Sequence, residues 1–474
     1  MLVNNLILVI SDILKILWNS PKPTDKLLSE IFRTKKNIGS KERRFASEII
    51  FAILRNKFIL EYLIKKLEDI DLISNNDNKY LLSIYLFLIL KDSDQDISPE
   101  FEPQILLSRI NQNAKISNIL ESYFNDKLNN ITFNVINAFE ELNKDISNLQ
   151  EVNYKDNLKA LSVRYSFPEW LLEKIVHKFN NKEQLINFLY KSTNSAHPTI
   201  RVNQLNSSIE EIESELRNSN IKFYHSQLSP SAIVLQDRVQ LSELDFFKLG
   251  KVEVQDEGSQ IISYILDPQP GESVLDACAG AGGKSLHIAE LMKNQGRVIA
   301  NDIEFHRLKE IPKRAARSGL SIIDTFNSRD NDLREFIDKD RTLRDGFDRI
   351  LIDAPCSGLG TIRRDPMKKY RINPNLIEKL QRNQLQILTE YSKFLRVGGI
   401  LVYSTCSLLP DENEWVIEAF LQQNENFAGD PILSIINKNK IGLENISNDE
   451  FMLNIDFTQS NSDGFFMARM KRIE

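Results

Sequence analysis

The stretch "SVLDACAGAGGKS", Ser273 to Ser285, sets three glycines and a lysine directly after a β-branched apolar run. Such a turn can wrap a phosphate, seat a dinucleotide or hold another nucleotide-like cofactor. A P-loop needs glycine where this chain has Cys278, and the dinucleotide fingerprint GxGxxG fails because the glycines stand at 280, 282 and 283. The next strand-like stretch, "RVIAND", closes on Asp302, nineteen residues after Gly283. A carboxylate at that strand end can accept hydrogen bonds from the 2′- and 3′-hydroxyls of a ribose. S-adenosylmethionine (SAM) carries this ribose and no phosphate, so it is the expected cofactor, with Asp276 near its cationic methionine end. The bland alternative makes Asp302 a helix cap and the glycines a plain tight turn.

Two further stretches put thiols at strand ends. "FDRILIDAPCSGLGTIRRDP" sets Asp353, Pro355 and Cys356 just past an apolar run, and "GGILVYSTCSLLPDENE" does the same with Thr405 and Cys406. A lone buried cysteine is ordinarily inert filler. Two of only three cysteines at the same edge of one sheet argue for chemistry instead. C5 of a pyrimidine is too electron-poor to take a methyl group directly from a sulfonium. A thiolate adding at C6 makes the ring an enamine-like nucleophile, and loss of the C5 proton later expels the thiolate. Asp353 is a candidate to support charge developing at N3, and the base must be unstacked to reach the pocket.

The elements that must position these groups alternate from about residue 256. Strands are predicted at Ser273–Ala277, Arg297–Asn301, Ile322–Phe326, Asp348–Ile352, Ile400–Ser404 and Phe465–Met470. Helices are predicted at Lys284–Lys293, Phe305–Ser318 and Asn375–Leu395. This alternation predicts a mostly parallel sheet covered on both faces, a Rossmann-like α/β core with ligands at the carboxyl ends of its strands. Residues 1–145 read as all-helical, as in "ERRFASEIIFAILRNKFILEYLIKKLEDI", with polar joints at 74–78 and 92–99. Residues 146–255 read as a small α/β connector with strands at "TIRVN" and "SAIVLQ", and 256–474 as the catalytic domain. The apolar run Tyr80–Leu90 is too short to span a bilayer and is expected to be a buried helix.

The chain has 474 residues, a net charge of −6 and three cysteines without a CxxC pair. This suggests neither a disulfide framework nor a zinc site. With an amphipathic helix instead of an export signal at the N-terminus, a cytoplasmic protein with neither membrane nor metal partner is expected. An acidic balance does not suggest a nucleic-acid binder, but local runs do. "TIRRDPMKKYRI" carries Arg363, Arg364, Lys368, Lys369 and Arg371 against Asp365, and "HRLKEIPKRAARSG" is similarly basic. Each could face RNA or be a solvated helix face.

Together "DACAGAGGKS", "RVIAND", "DAPCSGLGTIRRDP" and "YSTCSLLPDENE" resemble the NOL/NOP/Sun family of RNA cytosine-5 methyltransferases, in particular its bacterial Sun (Fmu) type acting on 16S ribosomal RNA. "RYSFPEWLLEKIVHKF", "PTIRVN" and "DGFFMARMKR" share the likeness. The helical first third is similar to the NusB-like RNA-binding domain fused to these enzymes. The resemblance implies a SAM-dependent (class I) methyltransferase of a 16S rRNA cytosine, working on RNA free or in an assembling small subunit. It implies that Cys406 attacks C6 and that Cys356 helps the product leave. Cys278, Ala279, Gly280, Ala281, Gly282, Gly283 and Lys284 would line the methionine and ribose, Asp302 would hold the ribose hydroxyls, and Asp353 would lie between cofactor and base. Two departures stand out. Gly280-Ala281 replaces the usual Ala-Pro, and the adenine contact falls to Asn327 or Asp330 in "DTFNSRDND". The alternatives are a non-catalytic RNA-binding or assembly factor on the same fold and a P-loop nucleotide hydrolase.

Overall fold

A computed structural model describes residues 3–35, 38–70, 72–73, 79–90, 128–149, 155, 157–237 and 239–474. They fall into two compact units, one within 1–195 together with 362–371, the other comprising 196–361 and 372–474. This division, at Ser195/Ala196, coincides with neither break expected from composition. The polar joints at 74–78 and 92–99 lie outside the described residues.

The first unit is helical: α1 (Val3–Asn19), α2 (Thr24–Thr34), α3 (Ser40–Arg55), α4 (Lys57–Asp69), α5 (Lys79–Leu90), α6 (Leu128–Asn148), α7 (Lys159–Arg164), α8 (Glu169–Ile175) and α9 (Lys182–Thr193). Helix α3 shows why the periodicity was legible. Glu42 reaches back to accept from the Gly39 N–H at 2.8 Å, which fixes the helix start. Ala46, Ile49, Ile50, Ile53 and Leu54 then form its buried face. The apolar run at Tyr80–Leu90 is the helix α5, with Leu81, Leu82, Ile84, Leu86 and Phe87 buried.

The basic run 362–371 departs from both readings of it, because it belongs to this helical unit and is largely packed. Arg363 and Lys369 are buried. The Tyr370 hydroxyl donates to the carbonyls of Leu54 (2.9 Å) and Ser166 (3.2 Å), and Arg371 donates to that of Ser20 (3.0 Å). Burial, with the Arg55 charge beside it, lowers Lys369 to about 7. The sequence shows charge but not this packing, and two of the five basic groups are thereby withdrawn from any exposed patch.

The second unit opens with a four-stranded antiparallel sheet, ordered β2-β3-β1-β4. Its strands are β1 (Thr199–Val202), β2 (Phe223–His225), β3 (Ala232–Leu235) and β4 (Val252–Val254), with α10 (Ile209–Asn218) after β1. Ile200, Val202, Ile212, Leu216, Ile233 and Val252 make its core. Helix α11 (Glu257–Leu266), capped by the Asp256 carboxylate on the Gly258 N–H, leads into the main sheet.

That sheet contains β5 (Ser273–Asp276), β6 (Arg297–Asn301), β7 (Ile323–Phe326), β8 (Phe347–Asp353), β9 (Leu395–Thr405), β10 (Phe427–Gly429), β11 (Met452–Ile455) and β12 (Phe465–Arg472). The order is β10-β12-β9-β8-β5-β6-β7, with β11 also pairing β12. Pairs β5–β6, β6–β7, β5–β8 and β8–β9 are parallel; β12 runs antiparallel to β9. The helices include α12 (Gly283–Leu291), α13 (Glu310–Arg317), α14 (Leu333–Lys339), α15 (Pro374–Ser392), α16 (Glu414–Gln423) and α17 (Leu433–Asn439). The chain leaves β5 to build β6 and β7 on one side, then returns to build β8 and β9 on the other. This reversal opens a crevice at the carboxyl ends of β5 and β8, the switch point where α/β sheets bind ligands. Among the described residues no helix is long and apolar enough to cross a membrane.

Candidate active site

The glycine turn leaves β5 and enters α12 under tight restraint. Ala279 N–H donates to the Asn301 carbonyl at 2.8 Å, which ties the turn to the end of β6. Gly282 has φ +83°, and a Cβ there would meet Ile311 Cγ1 at 2.6 Å, so only glycine fits both the backbone and the space. Gly280 also has positive φ (+55°) but nothing within 4 Å of a Cβ. Its N–H donates to Asp302 Oδ2 at 2.8 Å, while Asp302 Oδ1 accepts from the Glu304 N–H at 2.7 Å. Asp302 therefore keeps accepting capacity on both oxygens, directed at the rim of the turn.

Carboxylates surround this crevice. Asp276 is fully buried; Ser285 Oγ donates to its Oδ2 at 2.6 Å, and its Oδ1 has no partner. Burial pushes the Asp276 carboxyl up to about 7. Lys284 Nζ meets Asp353 Oδ2 at 2.6 Å, and Ser404 Oγ donates to Asp353 Oδ1 at 3.1 Å. Burial would lower Lys284, but Asp353 outweighs it and holds the ammonium charge, with Asp276 and Cys406 adding to the effect. Asn327 is buried beside Asp302, donates to the Asp302 carbonyl at 2.8 Å, and leaves its Oδ1 unpartnered. Asp330 is exposed. A buried acceptor without a partner costs about 1–3 kcal/mol unless something binds it. This set of acceptors suits the adenine amino group, ribose hydroxyls and cationic methionine end of SAM better than a phosphate, which these carboxylates would repel.

The two cysteines expected at strand ends are brought together. Cys356 Sγ and Cys406 Sγ lie 3.4 Å apart, both half-buried, just past β8 and β9. The parallel ladder carries on beyond the strands: Ala354 N–H donates to the Ser404 carbonyl and Gly360 N–H to the Cys406 carbonyl, each at 2.8 Å. The hydrogen bond to Cys406 is the largest cause, ahead of burial and the Glu412 charge, that holds the Cys356 proton well above the usual range. Cys278 is pushed up by burial, with Asp276, Asp353 and Asp302 adding to it. Cys278 is thus held as a neutral thiol in the cofactor turn.

Several participants were missed from the sequence. Ser404 and Ser285 orient carboxylates, Tyr391 accepts from Asn301 Nδ2 at 2.9 Å beside the turn, and Glu412 and Gln384 reach the cysteine loops. Their only sequence signal was polarity, at the end of β9, within α12 and α15 and in "PDENE", which many solvated segments share. In the other basic run, Arg314 and Arg317 close on the buried Glu253, while Arg307, Lys309 and Lys313 are exposed.

Over 450 residues the chain is 30% identical to the "probable ribosomal RNA small subunit methyltransferase B" of Bacillus subtilis (strain 168), covering 94% of each chain. The chain belongs to the 16S rRNA methyltransferase RsmB/F family. The profile of that name matches residues 263–471, and that of the Methyltr_RsmF/B-like, ferredoxin-like domain matches 167–242. The ribosomal RNA small subunit methyltransferase B of Proteus mirabilis (strain HI4320) is 30% identical over 84% of this chain and 88% of its own. Among solved structures, a methyltransferase homolog protein from Pyrococcus horikoshii aligns at TM-score 0.53 and 27% identity, over 66% of this chain and 97% of its own. In this RsmB/F chain the matched region contains the turn, Asp302, Asp353 and both paired cysteines.

Proposed function

We propose that the protein methylates C5 of a cytosine in 16S ribosomal RNA through a covalent adduct on Cys406. It acts in the cytoplasm, on RNA free or in an assembling small subunit. Membership of a SAM-dependent rRNA methyltransferase family supports the overall reaction. The observation that carries the chemistry is the 3.4 Å pairing of Cys356 and Cys406 beside the acidic crevice.

The Cys406 thiolate, its proton released to solvent, adds to C6 of the flipped cytosine, and the C5–C6 π pair becomes the nucleophile at C5. Bound SAM supplies the methyl group as an electrophile on its sulfonium sulfur. Asp302 would hold the ribose hydroxyls, Asn327 Oδ1 would accept from the adenine amino group, and Asp276 would lie toward the methionine ammonium. The Lys284–Asp353 pair keeps a proton and a carboxylate together where negative charge grows at N3. After C5 loses its proton to a base, the C5–C6 double bond re-forms and the C6–S bond breaks. The Cys356 S–H, 3.4 Å away, donates to the departing thiolate and stabilises it.

The test is methyl transfer from labelled SAM to small-subunit rRNA, followed by bisulfite mapping of rRNA from cells with and without the protein. One protected cytosine that depends on the protein is expected. SAM-independent ATP hydrolysis, or RNA binding with no transfer, would replace this reading with one of its rivals.

A further inference from the structure

The loops carrying the two cysteines come from different strands, and their backbones share few bonds. Beyond the Gly360 N–H bond to the Cys406 carbonyl, their spacing depends on one side chain near the end of the second cysteine motif. Glu412 is fully buried, in the turn that follows β9. Its Oε1 accepts from the Ser357 N–H at 2.8 Å and from Gln384 Nε2 at 3.0 Å. Its Oε2 accepts from Ser357 Oγ and from Ser407 Oγ. Ser357 and Ser407 each follow a cysteine directly, and their hydroxyl oxygens lie 3.2 Å apart. Gln384, from α15, also donates to the Pro355 carbonyl at 3.0 Å, just ahead of Cys356. The turn itself is anchored from below, because the Tyr403 hydroxyl donates to the Glu412 carbonyl at 2.7 Å and Asn413 Nδ2 donates to the Ser407 carbonyl at 3.1 Å.

We infer that Glu412 is a positioning residue for the reaction: its buried carboxylate clasps the loops of Cys356 and Cys406 and fixes the distance between their sulfurs. The physical argument is one of satisfaction. Each oxygen receives two donors, so all four must converge on one rigid group for none to be left unpaired. Burying a carboxylate is costly without such partners, and charge-assisted bonds are the strong kind. Moving the Cys356 loop by about an ångström breaks its bonds to both oxygens, and moving the Cys406 loop breaks the Ser407 bond to Oε2, so the sulfurs are held at one spacing. The Glu412 charge also helps keep the proton on Cys356, which stops that thiol from competing for C6. The inference rests on the adduct reading above for its catalytic meaning, but the spacing can be measured without RNA.

The experiment uses the full-length chain. Diamide, a two-electron azo oxidant, converts two adjacent thiols to a disulfide while being reduced to its hydrazine. The rate of the Cys356–Cys406 linkage, followed by peptide mass, reports the sulfur spacing. Glu412→Ala is expected to slow this linkage at least about tenfold and to lower kcat about 100-fold, with KM for RNA and Kd for SAM within about threefold. Glu412→Gln keeps the shape and is expected to recover the linkage rate to within about threefold. If Glu412→Ala does not fold, Ser357→Ala combined with Ser407→Ala removes the hydroxyl half of the clasp and should slow the linkage in the same way. A wild-type linkage rate in Glu412→Ala or in the double serine variant overturns the inference, as does lost activity with unchanged linkage. Slowed linkage in a protein whose wild type methylates no rRNA would retain the clasp and reject the adduct reading.

Discussion

Replacing Asp302 by asparagine tests the ribose contact at its most constrained point. Asp302 is 8% exposed, with one oxygen on the Gly280 N–H and the other on the Glu304 N–H. Each oxygen retains a lone pair, so the carboxylate can accept from both ribose hydroxyls without releasing either backbone donor. Asparagine offers one acceptor oxygen and sets its NH2 group against whichever backbone N–H lies on the other side. It loses one charge-assisted bond to the ribose, worth about 1.5–3 kcal/mol. A net loss of about 2–3 kcal/mol raises Kd about 30- to 150-fold. Titration calorimetry with SAM and with its neutral-sulfur product S-adenosylhomocysteine is the assay, with ligand-free melting as the control for the turn. Both ligands carry the same ribose, so both should weaken by the same factor. A Kd unchanged within threefold, or weakening for SAM alone, would refute the hydroxyl contact and leave only attraction between charges.

The other predictions address single contacts. Asp276 is raised from 3.8 to about 7, so between these values the native protein holds a proton that the unfolded chain has released. Stability then falls as pH rises from about 4 to about 7 and is flat above. At about 1.4 kcal/mol per unit the fall is about 4 kcal/mol. Asp276→Asn should remove that slope in denaturant midpoints measured across the window, and a pH-independent difference from wild type contradicts the assignment. A Cβ at Gly360 would stand 2.0 Å from the Gly464 carbonyl oxygen, so Gly360→Ala should cost about 1–3 kcal/mol by chemical denaturation; it should also slow adduct formation, because the Gly360 N–H holds the Cys406 carbonyl. A variant that matches wild type in both measurements removes that contact from the account. Asn327→Leu should weaken SAM binding about tenfold by calorimetry while Asp330→Ala leaves it within twofold, and the reverse order would move the adenine contact to Asp330.

The main sheet was legible because its inner strands are short apolar runs and its longest helix, α15, is periodic. Ser273, Arg297 and Phe465 begin strands where the pattern placed them. The strands β2, β4, β10 and β11 went unread because three or four residues show no resolvable alternation, and α11 because its Gly258 start and near-complete burial hide its period. In the site, residues with rare chemistry showed themselves: two cysteines, a glycine turn, an aspartate at a strand end. The residues that orient them did not, since Ser285, Ser404 and Glu412 gain meaning only from partners 5 to 55 positions away. The run at 362–371 misled for the same reason: lysines and arginines announce charge in a sequence, whereas the packing that buries Arg363 and Lys369 is tertiary.

The most direct test of the covalent route is to incubate Cys356→Ala, Cys406→Ala and wild-type protein with SAM and small-subunit rRNA, then resolve them on a denaturing gel. Cys356→Ala should retain RNA through a peptide whose mass places a methylated cytidine on Cys406, while Cys406→Ala retains none and transfers no methyl group. Turnover by Cys406→Ala, or a linkage mapped to any other residue, would contradict the assignment of Cys406 as the nucleophile.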